Sequence, residues 1–109
     1  MAFTGNENHD ITFTDAGAMT KKYRATIQAG DTLGGFFGEK AILEILSQKN
    51  CVGIRYYYGI NSAGEKVLVL VGVDAQENDL VDESIGNVCK EISLICPPRC
   101  GAPDVLNGL

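Results

Sequence analysis

The chain has 109 residues, a formal net charge of -5, 45% hydrophobic residues and four cysteines. That length holds one core, and the hydrophobic content excludes a disordered chain. Nucleic-acid binding is not expected, because phosphate affinity needs clustered Lys and Arg, and the one cluster, Lys21, Lys22 and Arg24, reads as a solvated helix face. No run approaches the roughly 20 apolar residues that span a bilayer, and the first residues, MAFTGNENHD, lack the basic start and apolar run of a secretory signal. No membrane partner is expected and the expected compartment is the cytoplasm, although signal-independent export would leave no mark in the sequence.

Residues 1–10 are polar and aperiodic and read as an N-terminal arm. A helix is predicted to follow, with Thr12 or Thr14 as its cap and Thr12 and Asp15 at capping-box spacing. Ala16, Met19, Tyr23 and Ile27 form its apolar stripe, and Gly30 can end it in the left-handed conformation. Gly34-Gly35-Phe36-Phe37-Gly38 has phosphate-loop flavour but no Lys-Ser/Thr, so it reads as a turn that inserts the two phenylalanines into the core. A second helix is predicted over residues 39–48, carried by Ile42, Ile45 and Leu46.

The segment from Cys51 to Ala75 predicts a β-hairpin. Val52, Ile54, Tyr56, Tyr58 and Ile60 alternate with Cys51, Gly53, Arg55, Tyr57 and Gly59; Val67, Val69, Val71 and Val73 alternate with Leu68, Leu70 and Gly72. Asn61-Ser62-Ala63-Gly64 supplies the turn. An even loop would pair Tyr58 with Val67 and Tyr56 with Val69, gathering branched and aromatic residues on one face. The other face would then carry Gly53, Arg55 and Tyr57 opposite Gly72, Leu70 and Leu68, an apolar patch expected to serve as a self-association interface. Asp74, Gln76 and Asn78 imitate a calcium loop, but Asp79 and Ile85 stand where it needs Gly and Glu, so calcium is not expected. A third strand is predicted over residues 87–95. Three prolines exclude regular structure from the tail, residues 96–109.

The expected fold is α+β, with two N-terminal helices packed on a small antiparallel meander: an arm (1–10), one domain (11–95) and a Pro/Cys-rich tail (96–109). The motifs FFG (Phe36 to Gly38), CVGIRYYYG (Cys51 to Gly59), KVLVLVGVDA (Lys66 to Ala75), NDL (Asn78 to Leu80) and CPPRCG (Cys96 to Gly101) resemble a group of small proteins from Bacteroidetes bacteria. The resemblance covers most of the chain and implies a bacterial source and a single-domain design. It carries over no activity, cofactor or catalytic residue.

Catalytic chemistry has little support. The only histidine, His9, lies in the arm, and the acidic pairs, Asp82 with Glu83 and Asp74 with Glu77, sit in a polar loop. Cys89, Cys96 and Cys100, with or without Cys51, could bind zinc, or Cys96 could bridge to Cys100 or either of them to Cys89. Arg99 would lower the pKa of a neighbouring thiol. Arg55 could grip a carboxylate of a partner, or pair with an acid of its own chain. The sequence thus supports a non-catalytic structural or interaction module, a homo-oligomer built through its hairpin. The alternative is a small Cys-dependent zinc-binding or thiol-redox protein.

Overall fold

The computed structural model describes residues 2–91 and 93–109. It is α+β, with helices α1 (Phe13–Arg24) and α2 (Glu39–Leu46) and strands β1 (Gly34–Phe36), β2 (Gly53–Ile60), β3 (Lys66–Val73), β4 (Cys89–Lys90) and β5 (Leu94–Cys96). All pairings between the strands are antiparallel, forming a three-stranded sheet in the order β2-β3-β4 and a two-stranded ribbon of β1 and β5. Two compact units result. One joins the N-terminal arm up to Glu7 to Phe37–Ser93, the other joins Asn8–Phe36 to Leu94–Leu109.

In the first unit β3 is the central strand. Val67, Leu70, Val71, Gly72 and Val73 are all buried, so both of its faces are covered. The hairpin register differs from the predicted one by one residue: Tyr58 pairs with Leu68, Tyr57 with Val69, Tyr56 with Leu70, Arg55 with Val71 and Gly53 with Val73. The turn decides this. Asn61 Oδ1 accepts from the N–H groups of Ala63 (3.0 Å) and Glu65 (2.9 Å), Asn61 N donates to Glu65 O at 3.0 Å, and Gly64 takes a φ of 81°. This turn with a left-handed glycine is one residue longer than an even loop allows. A one-residue slip is costly only where one face of a strand is polar, and β3 is apolar on both.

Helix α2 packs against β2 and β3, anchored by Ile45, which is 0% exposed. It ends two residues earlier than predicted, and Asn50 then turns the chain at a φ of 67°. Gln48 follows the helix and ties loops together: its Nε2 donates to Ile45 O at 2.9 Å, and its Oε1 accepts from Val88 N at 2.7 Å. A Cβ added at Gly72 would stand 2.8 Å from Gln48 Nε2 and 3.0 Å from Cys51 Sγ. Any larger residue there would have to displace the Gln48 amide from its place. The arm is docked rather than loose, since Phe3 N donates to Ala75 O at 2.9 Å. The third strand is shorter than predicted, because only Cys89 and Lys90 pair with β3 while residues 94–96 pair with β1; Ile92 lies outside the described residues.

In the second unit Thr12 caps α1, its side chain accepting from Asp15 N at 3.1 Å, as the spacing predicts. The helix stops at Arg24, well before Gly30, because Thr26 turns its hydroxyl (2.7 Å) and its N–H (2.9 Å) onto Tyr23 O. The packed side of α1 is also shifted from the predicted stripe. Met19 is exposed, whereas Gly17 is buried against Val105. Gly34-Gly35-Phe36 forms β1 rather than a core-filling turn, and Phe36 is exposed.

Candidate functional site

The observed register divides the six expected interface residues between two faces. Gly53, Arg55 and Tyr57 share a face with Val73, Val71 and Val69; Leu68, Leu70 and Gly72 share the other with Tyr58, Tyr56 and Ile54. Leu70 and Gly72 are buried within the chain, so the expected flat patch of all six does not exist. Arg55 is engaged internally. Its Nη1 lies 2.6 Å from Asp79 Oδ1 and donates to Glu77 O at 3.2 Å, and its guanidinium sits 5.9 Å from the centre of the Phe3 ring. The neighbouring carboxylate raises the Arg55 pKa, chiefly through that hydrogen bond. Tyr57 Oη donates to Asp79 Oδ2 at 2.5 Å, so one carboxylate orders two residues of β2. Nothing in the sequence singled out Asp79, whose role arises because its loop folds back to form a bridge with Val73.

What β2 presents outward is a different surface. Tyr56, Tyr58 and Ile60 are 58%, 68% and 71% exposed and occupy one face of the strand. The Tyr56 and Tyr58 rings meet edge to face at 5.8 Å, and Lys66 Nζ lies 4.8 Å from the Tyr58 ring centre. Such contacts pre-order the side chains. β2 is an edge strand, paired only with β3 among the described strands. Hydrogen-bonded pairs alternate along an antiparallel ladder. The Asn61–Glu65 bond therefore directs the main-chain groups of Arg55, Tyr57 and Gly59 toward β3, and those of Ile54, Tyr56, Tyr58 and Ile60 to the open side. The bond from Leu80 N to Gly72 O agrees, because Gly72 then faces away from β2.

The cysteines separate into three situations. Cys96 and Cys100 form a disulfide, Cys89 is an exposed thiol in β4, and Cys51 is half-buried, its Sγ donating to Gly53 O at 3.2 Å. Of the alternatives open for Cys89, Cys96 and Cys100, the Cys96–Cys100 bridge is the one present, and while bonded to each other these two are not thiolate ligands for zinc. Among the described residues, no three His, Cys, Asp or Glu side chains are grouped to hold a metal ion. Asp74 is occupied as a turn acceptor from Gln76 N (2.9 Å) and Asn78 N (3.0 Å). No helix among the described residues is long and apolar enough to cross a membrane. No protein-family model, curated protein or solved structure matches the chain.

Proposed function

We propose that the chain is a non-catalytic interaction module that associates with a second copy of itself by edge-to-edge pairing of β2. The observation that carries this reading is the open edge of β2, whose outward main-chain groups belong to the same residues, Tyr56, Tyr58 and Ile60, that leave their side chains exposed. An unpaired edge with exposed aromatic residues is a template for another strand.

The sequence of β2 selects a copy of itself as that strand. Antiparallel pairing about a twofold axis at Tyr57 sets Tyr56 against Tyr58 of the second copy and Ile54 against Ile60, all on one face. Arg55 then meets Gly59, so no like charges face one another. Complete burial of a large side chain contributes about 1.5–3 kcal/mol; partial burial of Tyr56, Tyr58 and Ile60 of each copy, together with the main-chain bonds of the new ladder, works against the entropic cost of association. The product is a continuous six-stranded sheet.

Sedimentation of the native chain and of a Tyr58→Pro variant tests the reading. Proline at this outward position removes a donor from the open edge while leaving the ladder to β3 intact. The native chain is expected to sediment as a dimer and the variant as a folded monomer. A native chain that remains monomeric at high concentration, or a variant that dimerises as well as the native chain, overturns the proposal.

A further inference from the structure

The second unit contains a cavity of about 370 Å³ whose lining residues include the disulfide-bonded Cys96 and Cys100, Arg24 and Arg99, and the strand segment Gly34-Gly35. The size suits a small molecule. Its charge is opposite to that of the protein. The chain carries a net charge of -5, yet Arg24 and Arg99 are among the lining residues and none of the described lining residues is acidic. Arg24 is fixed in place, its Nη1 donating to Leu106 O at 2.7 Å and Thr20 Oγ1 at 3.3 Å. Gly34 has nothing within 4 Å of where a Cβ would lie, which keeps that wall open. Cys96 is held at the end of β5, where its carbonyl accepts from Leu33 N at 2.8 Å.

A two-sulfur bond facing an electropositive cavity has a definite chemistry. We infer that the pocket is a thiol–disulfide exchange site for small thiols that carry a carboxylate, which the two arginines recognise. In the first step the thiolate of the ligand attacks one sulfur of the Cys96–Cys100 bond. A mixed disulfide forms and the other cysteine departs as a thiolate, which the positive charge of Arg99 in the same lining favours. A second ligand thiolate then attacks the ligand sulfur of the mixed disulfide and releases the remaining cysteine as a thiolate. Two electrons pass from two thiols to the protein; the products are the ligand disulfide and the Cys96, Cys100 dithiol. The inference is independent of self-association through β2, since it rests on residues of the other unit.

The test compares reduction of the native protein by 3-mercaptopropionate, which is anionic, and 2-aminoethanethiol, which is cationic. Rates are expressed per mole of thiolate, divided by the rate of the same thiol with a small uncharged disulfide so that intrinsic nucleophilicity cancels, and followed by acid quench, alkylation and mass analysis of the peptide containing Cys96 and Cys100. The overall charge of the protein favours the cationic thiol, so the expected preference for 3-mercaptopropionate, ~10-fold or more at low salt, is specific to the pocket. The rate should saturate with 3-mercaptopropionate concentration, the preference should shrink in high salt, and Arg99→Gln should reduce it several-fold. Equal rates, a preference for the cationic thiol, or a preference unchanged by both salt and Arg99→Gln would overturn the inference.

Discussion

Single residues account for several features that the composition hides. At Gly17 an added Cβ would lie 2.6 Å from Val105 Cγ2 and 2.8 Å from Val105 O, and the backbone oxygen has little freedom to move. Gly17→Ala is therefore expected to destabilise the second unit by about 1–3 kcal/mol despite the higher helix propensity of alanine; a melting temperature equal to or above the native value would show that Val105 yields. Glu7 is a second case. Its carboxylate accepts from Thr4 N at 2.8 Å and Gly5 N at 2.9 Å, and these bonds, the first above all, hold its pKa below the ordinary 4.5. A lowered folded value makes the clasp stabilising above the unfolded pKa, and that contribution is lost as pH falls through the folded one. The Glu7 carboxyl carbon should thus titrate by NMR with a midpoint below 4.5, and a midpoint at or above it would mean the Thr4–Glu7 turn is not populated. Asp79 shows how a site residue escapes a sequence reading: its partners, Arg55 and Tyr57, are more than twenty positions away and meet it only once the hairpin exists.

The elements were legible where local chemistry decides them and illegible where tertiary contacts do. The Thr12 cap, the alternation of both hairpin strands and the Asn61–Gly64 turn all follow from residue type and spacing. The register was lost because β3 is apolar on both faces, so its pattern fits either alignment. The third strand is present but shorter than its alternation suggested, because residues 94–96 find β1 rather than β3, a choice that no periodicity records. The core that results is small: Ile45, Val67, Leu70, Val71 and Val73. Truncation at its centre should be severe, and Ile45→Ala is expected to cost about 2–5 kcal/mol in a denaturant titration; a loss under ~1 kcal/mol would mean that α2 is not anchored there. Leu70→Lys should abolish the cooperative melt, since it buries an unpaired charge, whereas a surface role for Leu70 would leave the fold intact and change only association.

At the scale of the whole molecule, the proposed self-association turns on how two copies of β2 would meet. The hairpin itself was readable from the sequence, but the surface that it leaves exposed was not. One face of the meander is taken up by its own chain at Leu70 and Gly72, and the aromatic residues beside the open edge are what is left. A twofold axis at Tyr57 makes a geometric demand that no other docking makes. Tyr57 would face its own copy as a non-hydrogen-bonded pair, with Cα atoms about 4.5 Å apart, within disulfide range. With Cys51 and Cys89 replaced by serine, mild oxidation of a Tyr57→Cys variant is the most direct measurement, and Tyr56→Cys serves as its control because residue 56 faces residue 58. Covalent dimers from Tyr57→Cys and few or none from Tyr56→Cys are the expected result. Dimers from both in equal amount, or from neither, would contradict pairing of β2 with itself.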